Sequence, residues 1–111
     1  MRKEYSLKRN EEIGNIVRLS KRVMNDSFII YYNKNDQGHS RVCISVNKKL
    51  GKAVIRNKIK RQTRAIITDI LDFSLSIDYV VVIRNRFTTL EYKDNKDNFY
   101  KLCLKLKSNK E

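Results

Sequence analysis

The chain has 111 residues, 41% of them hydrophobic and 33% charged, which is one domain's worth of globular sequence. Its 25 Lys and Arg against 12 Asp and Glu leave a net charge of +13, a self-repulsion that a polyanion relieves: nucleic acid first, an anionic membrane surface second. No apolar run approaches the roughly 20 residues of a membrane span. The opening Met1-Arg2-Lys3-Glu4-Tyr5 leads into polar sequence without the apolar stretch of a secretory signal, so a cytoplasmic protein is expected.

Residues 10–20 form the first expected helix. Asn10 is placed as its N-cap, Glu11 and Glu12 complement the first-turn dipole, and Ile13, Ile16, Val17 and Leu19 make its apolar stripe. Residues 20–26 are polar and are expected to turn. Residues 27–33 (SFIIYYN) read as a strand rich in aromatic and β-branched side chains. The turn formers of residues 33–38 predict a hairpin into a second strand, residues 41–47. There Val42, Ile44 and Val46 alternate with Arg41, Cys43, Ser45 and Asn47.

A basic turn, Lys48-Lys49-Leu50-Gly51, precedes a long helix from Lys52 or Ala53 to about Leu71, with Ile55, Ile59, Ile66 and Ile70 as its buried stripe. Residues 79–83 are a nearly all-apolar third strand. Thr88 or Thr89 caps a last helix from about Leu90, with Tyr92, Phe99, Leu102, Cys103 and Leu106 on one side. Residues 107–111 are expected to fray. The expected fold is a single α+β domain over residues 1–111, a two-layer α/β sandwich in the order α-β-β-α-β-α.

The charge is not spread evenly. Residues 1–36 carry a net +3, residues 37–68 a net +9 with no acid at all, and residues 69–111 a net +1. Clustering of this kind marks a dedicated anion-binding surface. Its densest part is the long helix, where Lys52, Arg56, Lys60 and Arg64 recur every four residues with Asn57 and Arg61 beside them. Like charges at this spacing repel by a few tenths of a kcal/mol per pair, on the order of 0.3. A phosphate backbone would relieve them, since Arg forks two bonds to a phosphate and Asn57 both donates and accepts. A solvated outer face is the alternative, but such faces usually mix signs.

The block Arg41-Val42-Cys43-Ile44-Ser45-Val46-Asn47-Lys48-Lys49-Leu50-Gly51, with Ala53 through Arg64 after it, resembles the signature of the bacterial ribonuclease P protein component. The likeness extends over essentially the whole chain in length, element order and basic opening. It implies a fold like the second domain of ribosomal protein S5, with a left-handed βαβ crossover. It implies the catalytic RNA of ribonuclease P as partner, with precursor tRNA as the substrate whose 5′ leader is removed. In that family the RNA and its Mg²⁺ perform the hydrolysis, and the protein binds no cofactor of its own. Carried over by position, the family's Arg-Asn-Arg motif falls on Arg56, Asn57 and Lys58, followed by Lys60, Arg61 and Arg64; Lys58 keeps the charge but loses the planar fork of Arg. A literal Arg84-Asn85-Arg86 ends the third strand instead of riding the basic helix. The family's leader-binding cleft falls on Ile13, Val17 and Tyr31, with Arg41, Ser45, Lys48 and Lys49 nearby. The first two are aliphatic here where the family often has aromatics, so base stacking is expected to rest on Tyr31.

Other chemistry is thin. Cys43 and Cys103 are separated and form no CxxC, so both are read as reduced, buried thiols. One His and two distant Cys do not make a usual zinc site. His39, the single histidine, is placed in the hairpin loop. No GxxxxGK[ST] or GxGxxG occurs. The polypeptide is therefore expected to break no bond itself. Two other readings remain open: a structural RNA-binding protein of the ribosome or its assembly, and a DNA-binding regulator. No short helix and tight turn precede the basic helix, which weighs against the regulator.

Overall fold

Alternating apolar residues make the sheet, and one strand of it is apolar on both sides. In the computed structural model, which describes residues 3–8, 10–19 and 21–108, the order is α1 (Asn10–Leu19), β1 (Lys21–Met24), β2 (Phe28–Lys34), β3 (Arg41–Ser45), α2 (Ala53–Ile70), β4 (Ile77–Ile83) and α3 (Tyr92–Ser108). Short 3₁₀ turns at Lys3–Tyr5, Lys48–Leu50 and Asn85–Thr89 join them. The fold is α+β, as expected, with one strand more than the sequence pattern suggested.

The sheet runs β1-β2-β4-β3. β1 pairs antiparallel with β2, β2 antiparallel with β4, and β3 parallel with β4. Two expectations change. Residues 21–24 form an edge strand where a turn was expected, although Ser20, the first residue of that expected turn, lies outside the described residues. Only Val23 of the four points into the core, so Lys21-Arg22-Val23-Met24 carries no visible alternation; exposed cations are a common guard on such an edge. The second change concerns β2 and β3, which are consecutive but do not form a hairpin. β4 inserts between them, with Tyr31 opposite Val80 on one side and Cys43 opposite Val80 on the other. The turn residues of the intervening loop signal a change of direction, not which strand is the neighbour. The loop is instead tied by Asn35, whose Nδ2 donates to the His39 carbonyl (3.2 Å) and to Asp78 Oδ1 (2.7 Å).

α2 and α3 cover one face of the sheet. Ile59, Ile66 and Ile67 of α2 and Phe99, Leu102 and Leu106 of α3 pack on Phe28, Ile30, Val42, Tyr79 and Val81. α1 and the preceding segment cover part of the other face, where Leu7 and Ile16 meet Val80, with Ile13, Tyr31, Cys43 and Val82 around them. The capping role expected of the Asn10 side chain and the stripe position of Leu19 lie outside what is described. The same holds for residues 109–111 of the expected frayed tail, while α3 reaches Ser108.

Within α2 the buried stripe is Ile59, Thr63, Ile66 and Ile67. Thr63 satisfies its hydroxyl by donating to the Ile59 carbonyl at 2.8 Å. Ile55, expected inside, is 46% exposed. It lies one turn too early to reach the sheet and sits against Gly51, where an added Cβ would lie 3.1 Å from three of its atoms. Gly51 also has φ +146°, a conformation that favours glycine. α3 starts later than expected: Thr88 and Thr89 belong to the 3₁₀ turn, and Tyr92 is 38% exposed and not part of the core.

A polar network fixes α3 to the sheet. Buried Ser27 donates to Asn95 Oδ1 (2.7 Å) and accepts from Asn98 (2.8 Å). Asn95 Nδ2 donates to the Phe87 carbonyl at 3.0 Å. Asn25 Nδ2 donates to the Asn98 carbonyl at 2.9 Å. Asn95→Ala strands two buried partners, so it should lower unfolding stability by about 2 kcal/mol, seen as an earlier urea midpoint with an unchanged slope.

Candidate nucleic-acid interface

The basic helix begins abruptly. Asn47 accepts from the Lys49 amide at 2.9 Å and shapes the 3₁₀ turn Lys48–Leu50. Lys52 then occupies the N-cap position of α2 without any side-chain capping bond, and no acid lies in the first turn. Helix dipoles favour anions at this end. A cation there adds positive potential to positive potential.

Along α2, Asn57, Lys58, Arg61 and Arg64 are exposed, while Arg56 and Lys60 are half-buried on the side toward the core. The four-residue row is therefore half-buried in its middle, at Arg56 and Lys60, and exposed at both ends, Lys52 and Arg64. Among the described residues, no carboxylate lies within ion-pair distance of Lys52, Arg56, Lys58, Lys60, Arg61 or Arg64. The acids are engaged elsewhere: Asp69 with Lys96 at 3.0 Å, Asp97 with Lys101 at 3.0 Å, Asp78 with Arg41. Arg56 Nε is buried without a hydrogen-bond partner. Lys60 and Arg64 also line a depression of about 180 Å³ with Lys8 and the β3 residues Val42 and Ile44. Three cations from two chain segments thus meet at the β3 edge, a grouping no local motif announced.

The second candidate area is the sheet face that α1 leaves uncovered. Register places Met24, Ile29, Val82 and Ser45 in one row across all four strands. Met24 and Ser45 are exposed, and Ile29 and Val82 are partly so. Tyr31 lies in the next row, half-buried, with exposed Arg22 opposite it on β1. Ile13 is half-buried against the cluster of Leu7, Ile16 and Val80, whereas Val17 is exposed at 39%. Lys48 and Lys49 are exposed beyond the end of β3. The sequence pattern missed Arg22, Met24, Ile29 and Val82, because only strand register brings them beside Tyr31 and Ser45. Arg84 and Arg86 flank a depression of about 270 Å³ that shares Ile29 and Val82 with this row. The second Arg-Asn-Arg thus adds positive surface at one end of the face.

Arg41 differs from the other cations. It lies opposite Asp78 in the parallel ladder. Its Nε donates to Asp78 Oδ1 at 2.9 Å and its Nη2 to Oδ2 at 2.8 Å. Nη1 is 3.5 Å from Glu12 Oε2 on α1. The hydrogen bond to Asp78 pushes the guanidinium pKa up, with burial opposing. This fork ties β3, β4 and α1 together, so Arg41 positions the cleft wall with little charge to spare.

The remaining reactive groups are structural. The His39 ring tilts against Tyr5 at 5.6 Å, and the Glu4 carbonyl lies 2.9 Å from its Nε2. Tyr5 also stacks on Phe73 at 4.5 Å, which holds the N-terminal segment. Both cysteines are free, on opposite faces of the sheet. Burial pushes both thiols up, Cys103 to about 11, with Lys60 and Lys107 opposing at Cys43 and Cys103 respectively. Among the described residues, no three of His, Cys, Asp or Glu converge as metal ligands, and no helix is long and apolar enough to cross a membrane.

A small α+β domain of net charge +13 with an unneutralised cationic helix belongs to the class of polyanion-binding proteins. The family model described as Ribonuclease P matches residues 1–107. The chain is 40% identical over 107 residues to the ribonuclease P protein component of Mesoplasma florum, covering 95% of this chain and 97% of that one. Its structure resembles the ribonuclease P protein of Staphylococcus aureus with a TM-score of 0.83 at 30% identity, covering 93% of this chain and 95% of that one. The Thermotoga maritima ribonuclease P protein gives a TM-score of 0.76 at 28% identity, with 87% and 93% covered. The chain belongs to the ribonuclease P protein family, the protein component of the ribonucleoprotein that processes the 5′ end of tRNA. Its partner is ribonuclease P RNA, and the alternative of a ribosomal or assembly protein is not favoured.

Asp78→Ala would leave the Arg41 fork without its main partner. We expect a loss of about 3 kcal/mol in unfolding stability, and Asp78→Asn should retain part of it. Chemical denaturation of the three proteins at neutral pH provides the comparison.

Proposed function

We propose that the chain grips ribonuclease P RNA with the outer face of α2 and guides the 5′ leader of precursor tRNA along the uncovered sheet face. The RNA contacts in this reading are Lys52, Arg56, Asn57, Lys58, Lys60, Arg61 and Arg64. The leader contacts are Ile13, Val17, Tyr31, Ser45, Lys48 and Lys49, with Arg41 holding the wall. The observation that carries the reading is the absence of any carboxylate partner for the α2 cations among the described residues. Unpaired like charges on one helix are costly in the free protein, and a phosphate chain supplies the missing countercharge. Asn57, between Arg56 and Lys58, can bond sugar or base edges. Over the sheet face, Tyr31 offers a partly exposed ring, and Ile29 and Val82 offer flat apolar contact to bases.

In this reading the protein breaks no phosphodiester bond. The RNA and its Mg²⁺ do so, and the protein screens phosphate repulsion where leader and RNA approach each other. In this reading the complex acts on precursor tRNA in the cytoplasm.

Reconstitution gives the direct test. Adding the chain to a bacterial ribonuclease P RNA should lower the Mg²⁺ needed to cleave precursor tRNA, and more so for substrates carrying several leader nucleotides than for one with none. Unchanged Mg²⁺ demand would reject the assignment, and equal benefit at every leader length would remove the cleft.

Salt dependence tests the helix separately. With about six cations on phosphates, log K should fall against log salt with a slope of roughly −4 to −5. Arg56→Ala and Arg61→Ala should each flatten it by about one. An unaltered slope in both would move the binding face off α2.

A further inference from the structure

Two apolar side chains at the start of the basic helix are out of place. Val54 is 80% exposed and Ile55 is 46% exposed, on an otherwise cationic surface. Ile55 opens onto a depression of about 340 Å³ between α2 and the beginning of α3, within the range of small-ligand pockets, roughly 300–1,000 Å³. Buried Ile59 and Phe87 contribute its apolar lining. Lys58 and Gln62 of α2 line one side, and Glu91 and the partly exposed ring of Tyr92 the other. Of its lining, Lys58 alone belongs to the α2 contacts assigned above, and none belongs to the sheet face.

Two of the polar groups here, on Lys58 and Gln62, are uncommitted among the described residues, while the Thr88 hydroxyl donates to the Asn85 carbonyl at 2.8 Å. Lys58 has no carboxylate partner, and the Gln62 amide makes no hydrogen bond among the described residues. Among the described residues, the Glu91 carboxylate pairs with the exposed Lys93 at 3.7 Å. The site therefore offers an aromatic face, an apolar bed, an amide, a carboxylate acceptor and one phosphate-seeking cation. A second copy of this chain would bring two arrays of unpaired α2 cations together with no acidic patch between them. An RNA strand already neutralised by those cations meets no such penalty.

We propose that this depression takes one unstacked nucleobase of the RNA held by α2. The base lies on Tyr92 and the apolar lining, its phosphate meets Lys58, and its amino edge faces Gln62 and Glu91. Exocyclic amino groups donate to carboxylates, so a base that carries one is preferred over uracil, and cytidine serves as the probe. The inference rests on the RNA-binding reading of α2 and adds to it a contact that is not electrostatic.

That difference makes the two separable. Tyr92→Ala should weaken binding of the full chain to ribonuclease P RNA by about tenfold at every salt concentration, leaving the salt slope unchanged. Tyr92→Phe should bind as the native chain does, with circular dichroism confirming that both variants fold. In parallel, cytidine 5′-monophosphate should shift the backbone amide resonances of Gln62, Leu90 and Tyr92, and inorganic phosphate at equal concentration should not. Undiminished affinity of the alanine variant overturns the nucleobase site while leaving the α2 reading to the Arg61→Ala slope. So does an equal loss in the phenylalanine variant, equal shifts with phosphate alone, or shifts that follow protein concentration and not nucleotide, which would assign the depression to a second copy. If the Arg61→Ala slope stays unaltered, the α2 reading fails and the cytidine titration alone decides the pocket.

Discussion

Val80 and Val81 point to opposite faces of β4, and each is only 1% exposed. An interior strand buried on both faces requires a strand at each edge and a helical layer over each side. β2 and β3 flank β4, α2 and α3 supply one layer, α1 and the N-terminal segment part of the other. The basic surface depends on this arrangement. α2 turns Ile59, Ile66 and Ile67 inward against β4 and its neighbours, which leaves Lys58, Arg61 and Arg64 exposed. α1 covers the opposite side only in part, which leaves the row from Met24 to Ser45 open. Packing one strand thus sets both the cationic helix and the uncovered face.

Charge is distributed by the same construction. Among the described residues, Asp69, Glu91 and Asp97 pair with lysines of α3, and the interior anchor Asp78 takes the Arg41 fork at 2.8–2.9 Å. The cations of α2 receive none of this compensation. Neutralising Arg41 secures the junction of β3, β4 and α1, where a loose charge would be costly. Leaving α2 uncompensated keeps unfavourable electrostatic energy in the free protein, which binding of a polyanion at α2, as proposed, would relieve. The two treatments of positive charge, one structural and one external, occur on adjacent elements linked only by the turn Lys48–Leu50.

Much of this was legible in the residues. The long basic helix, its buried Ile59 and Ile66, the apolar strand before the second Arg-Asn-Arg and the α+β class follow from periodicity and charge. The misplaced features share a physical cause. β1 was invisible because an edge strand needs only one inward side chain, Val23, to belong to the sheet. The expected β2–β3 hairpin failed because turn residues report bending, while the choice of neighbour is made by the more apolar β4. Ile55 and Tyr92 carry the right spacing for burial, yet each sits at the first turn of its helix, before the sheet is within reach.

By itself, the sequence determined where positive charge accumulates and which helix carries it, because charge and helical period are local properties of the chain. Tertiary structure alone decided which cations stay unpaired. Arg41 and Arg61 are both arginines of the basic segment, but strand register brings Asp78, 37 residues away, to the first and nothing to the second. It also decided that Met24, Ile29, Val82 and Ser45 form one row, and that α2 and Tyr92 enclose a depression. Contacts between residues far apart in the chain depend on how strands pair, and no local pattern encodes that.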